Sequence, residues 1–224
     1  MSAKATKIST TEDDSMTLDI KALWDKRNWN GHVAAYQPWV FSISSLAWQP
    51  DILVRKKVFH DVPFETGWYF RVGTAIHEYI QRRLGPDWNT EQEIWMDIPY
   101  TFQTVKSDKI TLYGSLDAIN FQEHIIHEYK TTTAINAGVK EDYLIQAAGY
   151  AHMCKEMYHA DFETHVIVIP LHNDADVIDH IMTAEEHEKY WNELLNRAEY
   201  VAKQIDQLFT KENEADKSKK ECIR

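Results

Sequence analysis

One stretch, residues 114–130, constrains the fold and the chemistry of this chain more than any other. Its sequence is G-S-L-D-A-I-N-F-Q-E-H-I-I-H-E-Y-K, and it predicts a β-hairpin of two strands joined by a tight turn at residues 120–123. Side chains alternate between the faces of a strand, so Ile126, Glu128 and Lys130 are expected to share one face. A carboxylate and an ammonium group would then lie about 7 Å apart along the second strand.

A second carboxylate, that of Asp117, lies on the first strand of the predicted hairpin. With a four-residue turn it would lie opposite Ile126 and diagonal to Glu128, at a backbone separation of about 7–8 Å. Two carboxylates at such positions can hold one hard divalent cation, and Lys130 beside them can orient a water molecule and stabilise negative charge. Pairs of this kind are common on exposed strands, so the significance of the hairpin depends on the rest of the chain.

The periodicity of the remaining sequence predicts a mixed central β-sheet flanked by helices. Apolar residues recur at intervals of three and four in the helices, and they alternate or form short continuous runs in the strands. A capping box of Thr183 and Glu186 opens the last helix. The order of the elements favours an α/β or α+β fold. The predicted helices are residues 18–29, 64–84, 141–158 and 183–209, and the predicted strands are residues 91–100, 110–119, 124–131, 163–170 and 177–182.

The length of 224 residues fits one domain. We expect that domain to span residues 17–209, between a disordered N-terminal tail at residues 1–16 and a flexible, mixed-charge C-terminal tail at residues 210–224. The first sixteen residues lack the apolar segment of a secretory signal. No apolar run approaches the length of about eighteen residues that predicts a membrane span, so no membrane contact is expected.

Charge and cysteine content narrow the class of protein further. The formal net charge is −11, which argues against non-specific coating of nucleic acid and requires a local basic patch for any contact with DNA. Cys154 and Cys222 are the two cysteines of the chain, too few for a four-cysteine zinc or iron–sulfur site. Sparse cysteine is typical of a reducing, cytoplasmic setting.

Four motifs occur in a fixed order around the hairpin: G-T-A-I-H-E at residues 73–78, G-S-L-D at 114–117, H-E-Y-K at 127–130 and Q-A-A-G-Y at 146–150. The ordered set resembles the RecB-like branch of the PD-(D/E)XK nuclease superfamily, which has a helical His, a G-x-x-D strand, a (D/E)-x-K strand and a Q-x-x-x-Y helix. With the Ser-rich helix start at residues 42–46, the late strand and the long last helix, the resemblance covers most of residues 42–208. It implies a restriction-endonuclease-like core and cleavage of DNA.

The resemblance also implies roles for individual residues. It makes His77, Asp117 and Glu128 metal ligands, with the backbone carbonyl of Tyr129 completing the set, and it makes Lys130 the catalytic lysine. From the residues alone, a lone His on an apolar helix face is more often a core histidine. An imidazole among carboxylates shifts the metal preference from Mg²⁺ towards Mn²⁺, so we expect either ion to bind and Mn²⁺ to give the higher activity.

The same resemblance implies that Gln146 and Tyr150 support the site and contact DNA. Ser44, at the Ser-rich helix start, is a further candidate for DNA binding or support. Trp48 is a candidate for stacking on unpaired bases, with packing of the N-terminal helices as the alternative for the tryptophans. Each basic residue proposed to contact phosphate has an ordinary solvated charge as its alternative. These basic residues are Arg55, Lys56, Lys57, Arg71, Arg82, Arg83 and Lys140.

The chain departs from part of the family. The CRISPR-associated exonucleases of this branch and the AddB-type nucleases carry four cysteines for an iron–sulfur cluster, and two cysteines cannot build one. In size and element order the chain is also similar to phage recombination exonucleases, which usually lack the helical His. A phage origin would place the protein in the cytoplasm of the host, with a recombination or replication protein as a compatible partner besides DNA.

The sequence therefore predicts a divalent-metal-dependent DNA exonuclease that acts on single-stranded or frayed ends. The acidic body favours gripping a strand end over coating a long duplex. Two alternatives stay open: a structure-specific or flap endonuclease that uses the same site, and a catalytically silent DNA-binding or assembly module. The sequence leaves open the polarity of digestion, the choice between DNA and RNA, and the oligomeric state.

Overall fold

The computed structural model of the protein describes residues 37–59, 68–105, 107–133, 138–171 and 176–221. The predicted disordered tail at residues 1–16 and the predicted helix at 18–29 lie outside these ranges. In chain order, the elements are β1 (Val40–Ser42), α1 (Ile43–Trp48), α2 (Pro50–Phe59), α3 (Trp68–Gln81), β2 (Trp88–Pro99), β3 (Lys109–Asn120), β4 (Ile125–Thr132), α4 (Glu141–Tyr158), β5 (Glu163–Pro170), β6 (Ile178–Ile181) and α5 (Ala184–Glu221).

The six strands of the described ranges form one mixed sheet. Its order is β1-β3-β4-β5-β6, and β2 pairs with β3. The β1–β3 and β4–β5 pairs are parallel, whereas β2–β3, β3–β4 and β5–β6 are antiparallel. The prediction of a mixed central sheet flanked by helices is confirmed. Strand β1, with three residues, is too short to produce a recognisable alternation, and the sequence did not predict it.

Helix α4 forms the centre of the packing against the sheet. Its residues from Leu144 to Met153 are buried except His152. At Gly149 a Cβ atom would lie 2.6 Å from Leu194 Cδ2 and 3.1 Å from Ile43 Cγ2, so a side chain there would collide with both α1 and α5. The glycine allows three helices to meet in one core layer.

The ends of the helices follow the expected caps with one difference. The Ser42 hydroxyl accepts a hydrogen bond from Ser45 N at 3.2 Å and caps α1. Thr183 N donates to Glu186 at 2.9 Å, and Glu186 N donates to Thr183 Oγ1 at 3.2 Å, as in a capping box. Helix α5, however, continues to Glu221, through residues that were predicted to be a flexible tail. Lys, Glu and Ala are strong helix formers, and they dominate that segment.

The hairpin has a different register from the predicted one. Ile126 pairs with Ile119, so the expectation that Asp117 lies opposite Ile126 was wrong by two residues. The turn causes this shift. Asn120 stays in the strand, and its side-chain oxygen accepts hydrogen bonds from the backbone amides of Gln122 and Glu123 at 3.0 and 3.1 Å. His124 then closes the turn with a left-handed backbone, φ 55°. Asp117 is thereby shifted towards Glu128.

Within the described residues, no helix is both long enough and apolar enough to cross a membrane.

Candidate active site

The site forms where β1 and β4 diverge along one edge of β3. Strand β2 pairs with the other edge of β3, and so β1 and β4 must share this one. There β1 pairs with residues 111–113 and β4 with residues 118–120. The G-S-L-D motif at residues 114–117 therefore lies in the interval between two partner strands. Asp117 Oδ2 accepts a hydrogen bond from Tyr129 N at 2.8 Å, so a side chain takes the place of a ladder partner where β4 leaves β3.

Three side chains form a closed hydrogen-bonding group: Glu128 and Lys130 of β4 and Gln146 of α4. Lys130 Nζ donates to Glu128 Oε1 and to Gln146 Oε1, both at 2.7 Å. Gln146 Nε2 donates to Glu128 Oε1 at 2.8 Å and to the Tyr150 hydroxyl at 3.1 Å. Gln146 and Tyr150 lie one turn apart on α4, which explains why the Q-x-x-x-Y spacing serves this contact. The amide orients both charged groups of the E-x-K motif.

Glu128 is the more deeply buried of the two charged residues in this group. Its side chain is 2% exposed, and Oε2 has no hydrogen-bond partner among the described residues. Burial, and then the negative charge of Asp117, raise the pKa of Glu128 to about 7. A buried, unpartnered carboxylate oxygen is costly, and a cation would remove that cost.

A further titratable side chain, that of His77 on α3, lies beside Asp117. Its Nδ1 atom lies 3.4 Å from Asp117 Oδ1, and both side chains are largely buried. Burial lowers the pKa of His77, but the negative charges of Asp117 and Glu128 outweigh it, so the net shift is upward. For Asp117, burial opposes ionisation, but His77, Lys130 and the Tyr129 amide lower the pKa overall. The two carboxylates of the site thus have their pKa values shifted in opposite directions.

Two glycines let the helices approach these strands. A Cβ atom at Gly73 would lie 2.8 Å from Thr131 Oγ1, so the glycine brings α3 close to β4. A Cβ atom at Gly114 would lie 2.4 Å from Tyr150 Cε1, so the first residue of G-S-L-D leaves room for the ring that contacts Gln146. The glycines of the first two motifs serve packing around the site.

The donor set fits a hard or borderline divalent cation. It offers one imidazole nitrogen and two carboxylates, and the 3.4 Å between His77 Nδ1 and Asp117 Oδ1 is close to the edge of about 3 Å between neighbouring ligands in an octahedron with bonds of about 2.1 Å. Because the N–H of Tyr129 points towards Asp117, its carbonyl points to the same side of β4. Within the described ranges, however, no three His, Cys, Asp or Glu side chains converge as a ready-made metal cluster. Side chains would have to shift when a cation binds.

The predicted DNA-contacting residues are more dispersed. Ser44 and Trp48 occupy exposed positions on α1, with Trp48 57% exposed, and Arg71 is exposed on α3. Their contact with DNA stays a prediction. Lys57 does not suit a phosphate contact: it is 2% exposed, and its Nζ atom donates to the main-chain oxygen of Gln37 at 2.8 Å.

Three polar residues near Asp117 were missed by sequence reasoning. Gln81 Nε2 donates to the main-chain oxygen of Asp117 and to Glu91 Oε1, both at 2.9 Å, and Ser115 Oγ donates to Glu91 Oε2 at 3.1 Å. Gln81 could have been found, because it follows His77 by one helical turn and so shares its face. The position of Glu91 depends on its backbone conformation, which no sequence pattern indicates.

Two solved structures share the fold. A protein named SSO0001 aligns with a TM-score of 0.60 at 14% identity, over 81% of this chain and 82% of its own. A candidate exonuclease from Eubacterium rectale aligns with a TM-score of 0.59 at 10% identity, over 80% of this chain and 86% of its own. Neither the protein-family models nor the curated proteins compared with the sequence match it. At these identities the likeness shows the fold.

Proposed function

We propose that this protein is a divalent-metal-dependent DNA nuclease of the RecB-like PD-(D/E)XK type, and that it acts as an exonuclease on single-stranded or frayed ends. One observation carries the proposal: the buried Glu128 carboxylate is paired with Lys130 on one oxygen, and its second oxygen has no hydrogen-bond partner in the part of the chain that the structure describes, beside Asp117 and His77. Buried polar atoms of native proteins are mostly hydrogen-bonded, so an unpartnered carboxylate oxygen beside other charges favours a functional role.

The ligands of the cation would be His77, Asp117, Glu128 and the Tyr129 carbonyl. Such a cation, when bound, polarises the phosphoryl group and lowers the pKa of a water molecule. Hydrolysis joins the oxygen of water to phosphorus and releases the sugar oxygen, which takes up a proton.

Lys130 supplies the positive charge that the chain itself brings to this reaction. Burial opposes that charge, but Glu128 and Asp117 outweigh the effect and raise the pKa of Lys130, so its amine is an ammonium group at neutral pH. It can orient the attacking water and stabilise charge on the phosphoryl oxygens. Gln146 holds Lys130 at 2.7 Å, and the buried Tyr150 hydroxyl in turn holds Gln146.

The name of the Eubacterium rectale structure supports the nuclease assignment as an analogy of fold. The presence of His77 among the carboxylates supports a preference for Mn²⁺ over Mg²⁺. The formal charge of −11 supports binding to a short stretch of DNA at a strand end, because an acidic protein repels long duplex DNA.

The test is a time course with Mn²⁺ or Mg²⁺ on linear single strands and duplexes labelled at the 5′ or the 3′ end, and on covalently closed circles. We expect nucleotides to be released from linear strands and circles to stay intact, with faster release in Mn²⁺. Linearised circles would identify an endonuclease, cleavage of RNA alone would change the substrate class, and binding of DNA without any cleavage would identify a silent module.

A further inference from the structure

Glu91 has an unusual backbone conformation directly across from Asp117. Strand β2 pairs with β3 in a regular register on both sides, with Thr90 opposite Ala118 and Gln92 opposite Leu116, but the pair formed by Glu91 and Asp117 is interrupted. At this point Glu91 is in the left-handed region with φ 53°. Residues other than glycine rarely adopt this conformation, least of all within a strand. Such outliers concentrate at functional sites.

The conformation places the Glu91 carboxylate between two other elements. Its Oε1 atom accepts a hydrogen bond from Gln81 Nε2 of α3 at 2.9 Å, and its Oε2 atom accepts one from Ser115 Oγ of β3 at 3.1 Å. The same Gln81 nitrogen lies 2.9 Å from the main-chain oxygen of Asp117. One amide group therefore joins α3, β2 and β3 at the residue whose own ladder pairing is missing.

This junction is one helical turn from His77. Residues at i and i+4 lie on the same face of a helix, so Gln81 and His77 both point from α3 towards β3. Gln81 holds the main chain of Asp117, while His77 Nδ1 lies 3.4 Å from its side chain. Gln81 thus links α3 to the main chain of Asp117, and Glu91 accepts a hydrogen bond from the same amide group.

We propose that Glu91 and Gln81 are positioning residues that set the spacing of His77 and Asp117 for binding of the cation. This inference rests on the metal site of the proposed function. Neither side chain needs to touch the cation or the substrate: Glu91 orients the Gln81 amide, and the amide fixes the Asp117 main chain against α3. Groups that orient metal ligands in this way typically change metal affinity or activity by about 10–100-fold when they are removed.

The experiment measures Mn²⁺ binding directly, by the electron paramagnetic resonance signal of free Mn²⁺, alongside thermal unfolding and cleavage. Glu91→Ala and Gln81→Ala are expected to weaken Mn²⁺ binding by about 10–100-fold. Glu91→Gln keeps an oxygen that can accept from the Gln81 amide, and most of the affinity should return. Glu91→Gly relieves the left-handed backbone but lacks the carboxylate, so it should fold and still bind Mn²⁺ weakly.

Asp97→Ala is the matched control. Asp97 is also a β2 carboxylate, and its hydrogen bonds to described residues are to Lys109 at 2.5 Å and Thr111 at 2.6 Å, both on β3. Its loss should leave Mn²⁺ binding unchanged. Wild-type affinity in Glu91→Ala and Gln81→Ala would overturn the inference, as would a lowered melting temperature with an unchanged binding curve.

The binding curve also separates this inference from the proposed function. If the wild-type protein binds Mn²⁺ and cleaves no nucleic acid, the proposed function fails while the variants still decide the role of Glu91 and Gln81. If the wild-type protein binds no Mn²⁺, a positioning role towards a cation is excluded as well.

Discussion

Two almost completely buried carboxylates, Asp206 on α5 and Glu128 on β4, have contrasting surroundings. Asp206 is 7% exposed and Glu128 is 2% exposed. Asp206 accepts hydrogen bonds from the backbone amides of Gln103 and Thr104 at 3.0–3.1 Å and from the Thr104 hydroxyl at 2.6 Å. Glu128 accepts both of its hydrogen bonds on one oxygen, from the side chains of Lys130 and Gln146, and the other oxygen has none from any described residue.

The difference separates a structural carboxylate from a candidate functional one. The donors to Asp206 come from the loop after β2, so the carboxylate ties that loop to α5 and leaves neither of its oxygens unpartnered. The donors to Glu128 come from a charged and an amide side chain that would also suit a substrate phosphate. Burial alone does not favour a functional role, whereas burial together with an unpartnered oxygen beside further charges makes Glu128 a candidate.

The largest contrast is expected in catalysis. Glu128→Gln removes the charge of a proposed metal ligand and should lower the cleavage rate by at least about 10²-fold, as the loss of one preorganised electrostatic group does. Asp206→Asn should cleave at nearly the wild-type rate. Initial rates on end-labelled single strands, with folding checked by circular dichroism, measure both. Equal losses in the two variants would remove the distinction.

The same pair should respond differently to metal. At 100 times its dissociation constant, Mn²⁺ should stabilise the wild-type protein and Asp206→Asn by about 2.7 kcal/mol, and Glu128→Gln by much less. Because burial and Asp117 raise the pKa of Glu128 to about 7, Mn²⁺ competes with a proton, and its effect should grow from about pH 6 to about pH 8. Melting curves with Mn²⁺ and with a chelator test this. A stabilisation that persists in Glu128→Gln would place the cation elsewhere.

A smaller effect should arise from the packing around Tyr150, which supports the group formed by Glu128, Lys130 and Gln146. Gly114→Ala forces a methyl group into the Tyr150 ring, and overpacking of this kind costs about 1–3 kcal/mol. The ring also holds Gln146, so cleavage should fall along with stability. Gly85→Ala, where nothing lies within 4 Å of the new atom, is the control, and denaturant unfolding with rate measurements distinguishes them. An unaffected Gly114→Ala protein would show that Tyr150 can move freely.

The last effect concerns Asp206, the structural carboxylate of the comparison, and is confined to stability. Asp206→Ala leaves the Gln103 and Thr104 donors without their acceptor, and the loss is expected to be about 1–3 kcal/mol of unfolding free energy. The dependence of cleavage on Mn²⁺ concentration should not change. Urea denaturation measures the free energy of unfolding, and a titration with Mn²⁺ measures the metal dependence of cleavage. A shifted metal dependence would mean that the loop and the site are coupled.

The sequence predicted the fold class and most elements because their apolar periodicities are long. Helix α4 and strand β5 have the predicted bounds, whereas the three residues of β1 carry too little pattern. The ordered motifs also identified the residues that the structure brings together: His77, Asp117, Glu128, Lys130, Gln146 and Tyr150. The hairpin pattern alone grouped Asp117, Glu128 and Lys130, and the resemblance of the ordered motifs to the RecB-like branch added His77, Gln146 and Tyr150.

The parts that sequence reasoning missed depend on backbone detail. The two-residue error at Asp117 came from the side chain of Asn120, which extends the strand and moves the turn. The interval at residues 114–117 exists because β1 ends at Ser42 and β4 leaves β3 after His127, and no breaker residue marks either point. Likewise, a glutamate gives no sign of a left-handed backbone, so Glu91 and its contact with Gln81 became visible in the structure alone.

The most direct test of the central claim is the Mn²⁺-dependent cleavage rate of Lys130→Ala on end-labelled single-stranded DNA. Lys130 provides the ammonium group at 2.7 Å from Glu128, and it is not a proposed metal ligand. We predict that the variant binds Mn²⁺ and DNA about as well as the wild-type protein and cleaves at least about 10²-fold more slowly. Cleavage by Lys130→Ala at the wild-type rate would contradict the account.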